Sequence, residues 1–167
     1  MTLGEFNAQV PEKAREALFR CCGCTKWADS LIKNFPFTSI EDLKILSDKT
    51  WFTCSESDWR EAFSHHPKIG EKKIVNDKHT ATKEWAQAEQ SGVKDTDKKI
   101  IDELAKLNRD YEARMGFIFI VFASGKSGSE MLSILKERLN NDFEKELHIA
   151  AGEQNKITHN RIDKLLS

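Results

Sequence analysis

Hydrophobic residues recur along this chain at steps of three and four, the spacing of one face of an α-helix. The clearest line lies in the second half of the sequence, where apolar positions run from Ile100 through Leu104 and Tyr111 to Met115. Asp95 or Thr96 is suited to cap this helix. We predict an all-α fold in which this helix is the longest and lies at the centre of the core.

The first third of the chain is divided by residues that start or stop helices. Pro11 suits a first helical turn, and Gly23 is expected to end the helix that follows. Thr25 and Ser39 are candidate N-caps of the next two helices, and Pro36 prevents the first of these from continuing. Three short helices are therefore predicted before residue 55.

The last third of the chain contains further apolar segments, and no linker-like sequence separates them. Residues 117–122 are apolar on all sides, which predicts burial whether they are extended or helical. Ser127 or Ser129 is expected to begin the next helix. The last helix carries a mostly apolar stripe, which consists of Phe143, Leu147, Ala150, Gln154, Ile157, Arg161 and Leu165. No repeat or low-complexity tract interrupts the chain, so we predict one multi-helix domain over residues 1–167.

Composition narrows the classes of function. The 167 residues are 39% hydrophobic with a formal net charge of -1, which argues against disorder and against a nucleic-acid partner. The longest apolar run, residues 116–123, is far shorter than the roughly 20 residues that span a bilayer, so no membrane partner is predicted. The chain starts without a secretory signal and ends without a Ser-Lys-Leu tripeptide, and the expected location is the cytoplasm.

The four cysteines form a poor disulfide framework. Cys21, Cys22 and Cys24 lie together and Cys54 stands apart, so reduced thiols are expected. A zinc site would need a second ligand pair near this cluster, and His65-His66 is distant in sequence. We predict no metal site, and a metal-dependent hydrolase is the least favoured hypothesis.

Two positions could carry acid–base chemistry. His66 precedes Pro67, which fixes the backbone at a helix end whose carbonyls favour an imidazolium. The alternative is that one residue of the His65-His66 pair caps helix carbonyls and the other is solvated. Glu89 lies four residues after Trp85 and shares its helix face, so its carboxylate is either half-buried in a site or a charged residue at the edge of the core.

Arg161 is a third candidate because it lies on the apolar stripe of the last helix. A buried guanidinium requires an anionic partner. That partner is either a carboxylate of a neighbouring helix or an anionic ligand.

Five segments taken together resemble a known family, the OHCU decarboxylases. They are residues 66–70 (HPKIG), 89–93 (EQSGV), 111–120 (YEARMGFIFI), 130–140, and 153–157 (EQNKI) followed by Arg161. This family decarboxylates 2-oxo-4-hydroxy-4-carboxy-5-ureidoimidazoline (OHCU) to (S)-allantoin, the last of three steps from urate. The resemblance covers nearly the whole chain in order and spacing and ends only in the N-terminal third.

The resemblance implies an all-α helical domain that dimerises and uses no metal or organic cofactor. It assigns His66 as the catalytic histidine and proton donor, Glu89 as its catalytic partner, and Arg161 as the residue that binds the substrate anion. The substrate-binding positions that it implies are Pro67, Ala86, Gln87, Ala88, Glu89, Gln90, Phe119, Ile120, Val121, Phe122, Ala123 and Arg161.

One departure from the family pattern concerns substrate affinity. Many relatives carry a serine three residues before the glutamate, where this chain has Ala86. The sequence predicts a homodimeric decarboxylase of the small molecule OHCU, with functional coupling to a 5-hydroxyisourate hydrolase. The alternative is a catalytically silent helical interaction module with the same fold.

Overall fold

A computed structural model of the chain describes residues 1–69, 85, 88–93 and 96–167, and this part is helical with no strand. Its α-helices are α1 (Leu3–Asn7), α2 (Pro11–Cys22), α3 (Thr25–Leu31), α4 (Ile40–Trp51), α5 (Glu56–Ser64), α6 (Lys98–Met115), α7 (Gly128–Arg138) and α8 (Phe143–Leu165). Short 3-10 helices lie at Ile32–Asn34 and Ser91–Val93. The prediction of an all-α fold is confirmed. No helix in the described ranges is long and apolar enough to cross a membrane.

Helix boundaries in the first third follow the predicted signals with one exception. Helix α2 begins at Pro11 and ends before Gly23, and the Ser39 side chain caps α4 by accepting from the backbone N–H of Asp42 at 3.0 Å. Thr25, however, is the first residue of α3 and not its cap. The cap is Cys24, whose Sγ accepts from the Trp27 N–H at 3.4 Å.

Two predictions about the second half are wrong. Helix α6 is capped by Asp97, whose side chain accepts from the Lys99 N–H, and not by Asp95 or Thr96. Among the helices of the described residues the longest is α8 with 23 residues, against 18 in α6. Helix α8 continues because its inward stripe repeats without a break up to Leu165.

The described chain divides into two compact units. The first unit comprises Met1–Ala62 and Gln154–Ser167. In it α3 packs against α2 and α4, and the buried Trp27 donates from Nε1 to the Ser47 carbonyl at 3.3 Å. The largest fully buried side chains of this unit are Phe6, Leu18, Trp27, Leu31, Leu43 and Trp51.

The second unit comprises Phe63–Glu153. Helix α6 packs against α7 and contributes the buried Leu104, Tyr111 and Met115 to its core. Residues 118–123, which follow α6, form neither helix, turn nor bend, and four of them are almost completely buried. The predicted burial of residues 117–122 is confirmed for four of the six, while Ile118 and Phe122 are half-buried, and none of the six is helical. A single domain over 1–167 stays a prediction.

Candidate active site

His66 lies just beyond the end of α5, as its position before proline predicts. It is half-buried, and its backbone N–H donates to the Phe63 carbonyl at 3.2 Å, which closes a turn at the helix end. Pro67 is half-buried beside it, whereas His65 is exposed. The side chain most suited to acid–base chemistry is thus held at a fixed point of the backbone and partly withdrawn from water.

The residues after His66 are anchored on helix α6. Lys68 Nζ pairs with Glu112 Oε2 at 2.6 Å. One turn earlier on the same helix, the buried Asn108 donates from Nδ2 to the Ile69 carbonyl at 3.0 Å. Because a buried carbonyl is costly to leave without a donor, this bond fixes the path of the chain behind His66.

Aromatic rings connect the His66 turn to the segment 119–123. The Phe63 ring lies 5.3 Å from that of Phe117, centroid to centroid. The Tyr111 ring meets Phe117 and Phe119 edge-on at 5.9 and 5.5 Å. Two of the sequence-predicted site segments therefore share one packed cluster in the second unit.

Glu89 is more deeply buried than its helix position predicts, with 6% of its surface exposed. It is followed by the half-buried Gln90 and by the 3-10 turn Ser91–Val93, which contacts the loop after Ala123. A Cβ added at Gly92 would lie 2.1 Å from the Lys126 carbonyl oxygen. Only glycine permits this close approach, so the Glu89 segment is seated at the far end of segment 119–123.

The close contact of a second glycine, Gly128, supports the same placement of the Glu89 segment. A Cβ added at Gly128 would lie 2.4 Å from Thr96 Oγ1, and that hydroxyl donates to the Gly92 carbonyl at 3.3 Å. The structure thus joins Gly92 and Thr96 to Lys126 and Gly128. Ala88 is exposed. Ala86 and Gln87 lie outside the described residues, as do most of residues 69–82, whose polar and weakly periodic sequence predicts a loop.

The backbone of segment 119–123 is held by charged side chains. Arg138 Nη1 donates to the Ile120 carbonyl at 2.6 Å. Glu153 Oε2 accepts from the Phe122 N–H at 2.7 Å, and Lys126 Nζ donates to the Phe122 carbonyl at 2.6 Å. These side-chain bonds take the place of the ladder or helix bonds that the segment lacks.

Sequence reasoning missed the buried network around Arg138. Glu146 is fully buried and its Oε1 accepts from Arg138 Nε at 2.6 Å, from Arg138 Nη2 at 2.5 Å and from the Tyr111 hydroxyl at 2.5 Å. Its other oxygen accepts from Asn141 Nδ2 at 2.9 Å. The available signal was the position of Arg138 three residues after Leu135, on the inward face of α7.

Burial raises the pKa of Tyr111 well above its ordinary value. The positive charge of Arg138 opposes this shift, and the Glu146 carboxylate adds to it. The phenol is therefore a neutral donor to Glu146 at physiological pH.

Arg161 belongs to the first unit and has 2% of its surface exposed, so its predicted inward orientation is confirmed. Gln154, one of the two polar residues on that stripe, donates from Nε2 to the Cys22 carbonyl at 3.3 Å and to Thr158 Oγ1 at 3.2 Å. A structural role thus accounts for Gln154.

All four cysteines lie in the described part of the chain, where they are buried thiols that form no disulfide. A hydrogen bond from Cys24 to Cys54 raises the pKa of Cys24 and lowers that of Cys54. Within the described ranges, no group of three His, Cys, Asp or Glu side chains is arranged to hold a metal ion.

Residues 7–163 match the family model described as OHCU decarboxylase. The uric acid degradation bifunctional protein TTL of Arabidopsis thaliana is 38% identical over 148 residues, which cover 88% of this chain and 45% of that protein. The uric acid degradation bifunctional protein of Bacillus sp. (strain TB-90) is 27% identical over 134 residues, or 79% of this chain and 25% of that protein. The chain spans less than half the length of these curated relatives.

Solved structures agree with the sequence comparisons. A crystal structure of OHCU decarboxylase in the presence of (S)-allantoin has a TM-score of 0.78 and 35% identity, covering 95% of this chain and 99% of that chain. A crystal structure of (S)-allantoin synthase has a TM-score of 0.74 at 16% identity, covering 98% of this chain and 54% of that chain, and so shows likeness of fold alone. The family match spans nearly the whole sequence, and the chain belongs to the OHCU decarboxylase family.

Proposed function

We propose that this protein decarboxylates OHCU to (S)-allantoin without a metal or organic cofactor. The observation that carries the proposal is the assembly, within the second unit, of three segments that contain predicted site residues: the His66 turn, the Glu89 segment and segment 119–123. The aromatic cluster joins the His66 turn to segment 119–123, and Gly92 seats the Glu89 segment against the Lys126 backbone. Family membership supports the same reaction.

The chemistry requires little from the protein beyond orientation and a proton. Loss of carbon dioxide leaves a carbanion that the adjacent ring carbonyl of the substrate delocalises. The substrate thus provides the electron sink that other decarboxylases obtain from a cofactor. What remains is to hold the ring in one orientation and to protonate the carbanion on one face, which sets the S configuration.

His66 is proposed to deliver that proton, and Pro67 shapes the pocket beside it. Glu89 orients the imidazole or a substrate hydroxyl from its buried position, with Gln90 next to it. Arg161 binds the anionic edge of the substrate. Peptide groups of segment 119–123 hold the ring and stabilise developing negative charge.

The decisive experiment generates OHCU in situ from urate with the two upstream enzymes and follows optically active allantoin by circular dichroism. Spontaneous decay gives racemic allantoin, so a stereospecific signal reports catalysis. We expect His66→Asn and Glu89→Gln to lower turnover by ~10²–10⁴-fold, the usual contribution of a positioned acid or base. Far-UV spectra of both variants should match that of the parent protein.

His65→Asn is the matched control, because it alters the adjacent, exposed histidine and should leave turnover unchanged. Folded protein that gives no signal would favour the silent interaction module. The metal-dependent hydrolase has its own test: metal analysis of the purified protein that finds no bound zinc or iron would dispose of that hypothesis. Unchanged turnover in His66→Asn would remove this residue from the mechanism.

Three further features belong to the proposal. The protein acts as a homodimer in the cytoplasm, and it works in functional coupling with a 5-hydroxyisourate hydrolase. Support for the coupling comes from the two uric acid degradation proteins, both described as bifunctional and both matched over only part of their length. Light scattering tests the dimer, and the rate of allantoin formation with and without added hydrolase tests the coupling.

A further inference from the structure

The second unit contains a buried ion pair that stability alone does not explain. Arg138 has 6% of its surface exposed and Glu146 has none. The cost of removing two charges from water offsets most of their attraction, and apolar residues of similar volume often stabilise a core equally well. We therefore interpret the Arg138–Glu146 ion pair as a device that fixes the geometry of the residues around it.

Arg138 has one guanidinium nitrogen that does not contact Glu146, and that nitrogen reaches segment 119–123. Nη1 donates to the Ile120 carbonyl at 2.6 Å, and the guanidinium carbon lies 4.7 Å from the centroid of the Phe119 ring. Glu146 holds the remaining two nitrogens at Nε and Nη2. The ion pair thus fixes the direction in which the Arg138 side chain points its remaining nitrogen, Nη1.

Glu153 holds the same segment two residues further along. Its Oε2 accepts from the Phe122 N–H at 2.7 Å. The carbonyl of Ile120 and the N–H of Phe122 stand on either side of Val121, in a stretch with no helix, turn or bend. Side chains on α7 and α8 therefore define the conformation of this stretch.

We propose that Arg138 and Glu153 are positioning residues, which hold the backbone around Val121 in the shape that receives the substrate ring. This inference rests on the proposed function and deepens it. Neither residue is assigned a contact with the substrate. Their removal releases peptide groups whose alignment binds the ring, so the effect falls on KM more than on the protonation step.

The test measures kcat and KM with in situ OHCU for Arg138→Lys, Glu153→Ala and Glu153→Gln. Loss of a charge-assisted hydrogen bond predicts a rise in KM of ~10–100-fold for Arg138→Lys and Glu153→Ala. Glu153→Gln keeps an oxygen acceptor for the Phe122 N–H and should remain within ~3-fold of the parent KM. The pH profile of kcat should be unchanged in all three variants.

Tyr111→Phe is the matched control. It removes a hydroxyl that donates to Glu146 and accepts from Arg138 Nη2 at 3.4 Å, and it leaves the bonds of Arg138 Nη1 and Glu153 to segment 119–123 in place. It should lower the melting temperature without raising KM. If Tyr111→Phe raises KM as much as Arg138→Lys does, general destabilisation is the cause and the proposal is overturned.

The outcomes separate this inference from the proposed function. An active parent protein with unchanged KM in Glu153→Ala would overturn the positioning role alone. An inactive parent protein would overturn the proposed function and the inference together. Should Arg138→Lys fail to fold, the pair Glu153→Ala and Glu153→Gln decides the question, since rescue by glutamine but not alanine requires the acceptor.

Discussion

Replacing Tyr111 by Phe removes one hydroxyl from the core of the second unit. The ring is fully buried, and its contacts with Phe117 and Phe119 survive the substitution. What disappears is the hydroxyl that donates to Glu146 Oε1 at 2.5 Å and accepts a longer bond from Arg138 Nη2 at 3.4 Å. A hydrogen bond to a charged group contributes ~1.5–3 kcal/mol, and Glu146 retains donors from Arg138 and Asn141, so we expect the free energy of unfolding to fall by ~1.5–2 kcal/mol.

The same residue makes stability depend on pH in a defined direction. Burial raises the pKa of Tyr111 above its ordinary value of 10.0. Above that pH the unfolded chain loses the phenolic proton while the folded chain keeps it, so the folded state binds more protons. The contribution is fully present below pH 10 and is lost as the pH rises through the folded pKa, by up to ~1.4 kcal/mol per pH unit.

Urea unfolding followed by far-UV circular dichroism measures both effects. The parent protein should exceed Tyr111→Phe in free energy of unfolding at pH 8, and the difference should shrink between pH 10 and pH 11. Other titrating groups are common to both proteins, so the difference isolates Tyr111. A difference at pH 8 below ~0.5 kcal/mol, which is within the range of ordinary surface substitutions, would refute the reasoning.

Three further predictions follow from single sites. Gly92→Ala should destabilise the protein by ~1–3 kcal/mol, because its Cβ would lie 2.1 Å from the Lys126 carbonyl oxygen. Gly152→Ala in helix α8 should stabilise it by ~0.5–1 kcal/mol, because its Cβ would have no atom within 4 Å and alanine favours the helix. Urea unfolding of both variants tests this. Asn108→Ala removes the donor to the buried Ile69 carbonyl and should lower the free energy of unfolding by ~1–3 kcal/mol in the same assay. It should also lower kcat, since it frees the chain that follows His66, the proposed proton donor. Ala86→Ser restores the hydroxyl of many relatives and should lower KM by ~2–10-fold in the allantoin assay, the effect of one hydrogen bond; an unchanged KM would show that the hydroxyl contact is not needed here.

Local sequence signals predicted helix ends and buried helix faces well, because both depend on residues that are close together in the sequence. Pro11 and Gly23 mark the ends of α2, and Ser127 caps α7 by accepting from the Glu130 N–H. The stripe on α8 predicted that Arg161 is buried. These features depend on steps of three and four along one helix, which the sequence contains directly.

Competing local signals were less informative. Thr25 and Cys24 both offer an acceptor at the start of α3, and Asp95, Thr96 and Asp97 all offer one at the start of α6. The residue that caps is the one whose backbone is still non-helical at the point where packing begins the helix. The residue types alone do not determine which of several adjacent candidates caps the helix.

The sequence by itself determined the all-α class, the inward faces of the helices and, through the order of its motifs, the resemblance to the OHCU decarboxylases. Only the tertiary structure joined Arg138 to Glu146, Tyr111 and Ile120, and seated Gly92 against Lys126. These contacts join separate elements, at sequence separations that helical periodicity does not encode. Periodicity identifies the face that is buried, but the partner that it meets is fixed only when separate elements pack together, since each buried polar group must then find a partner within hydrogen-bond distance.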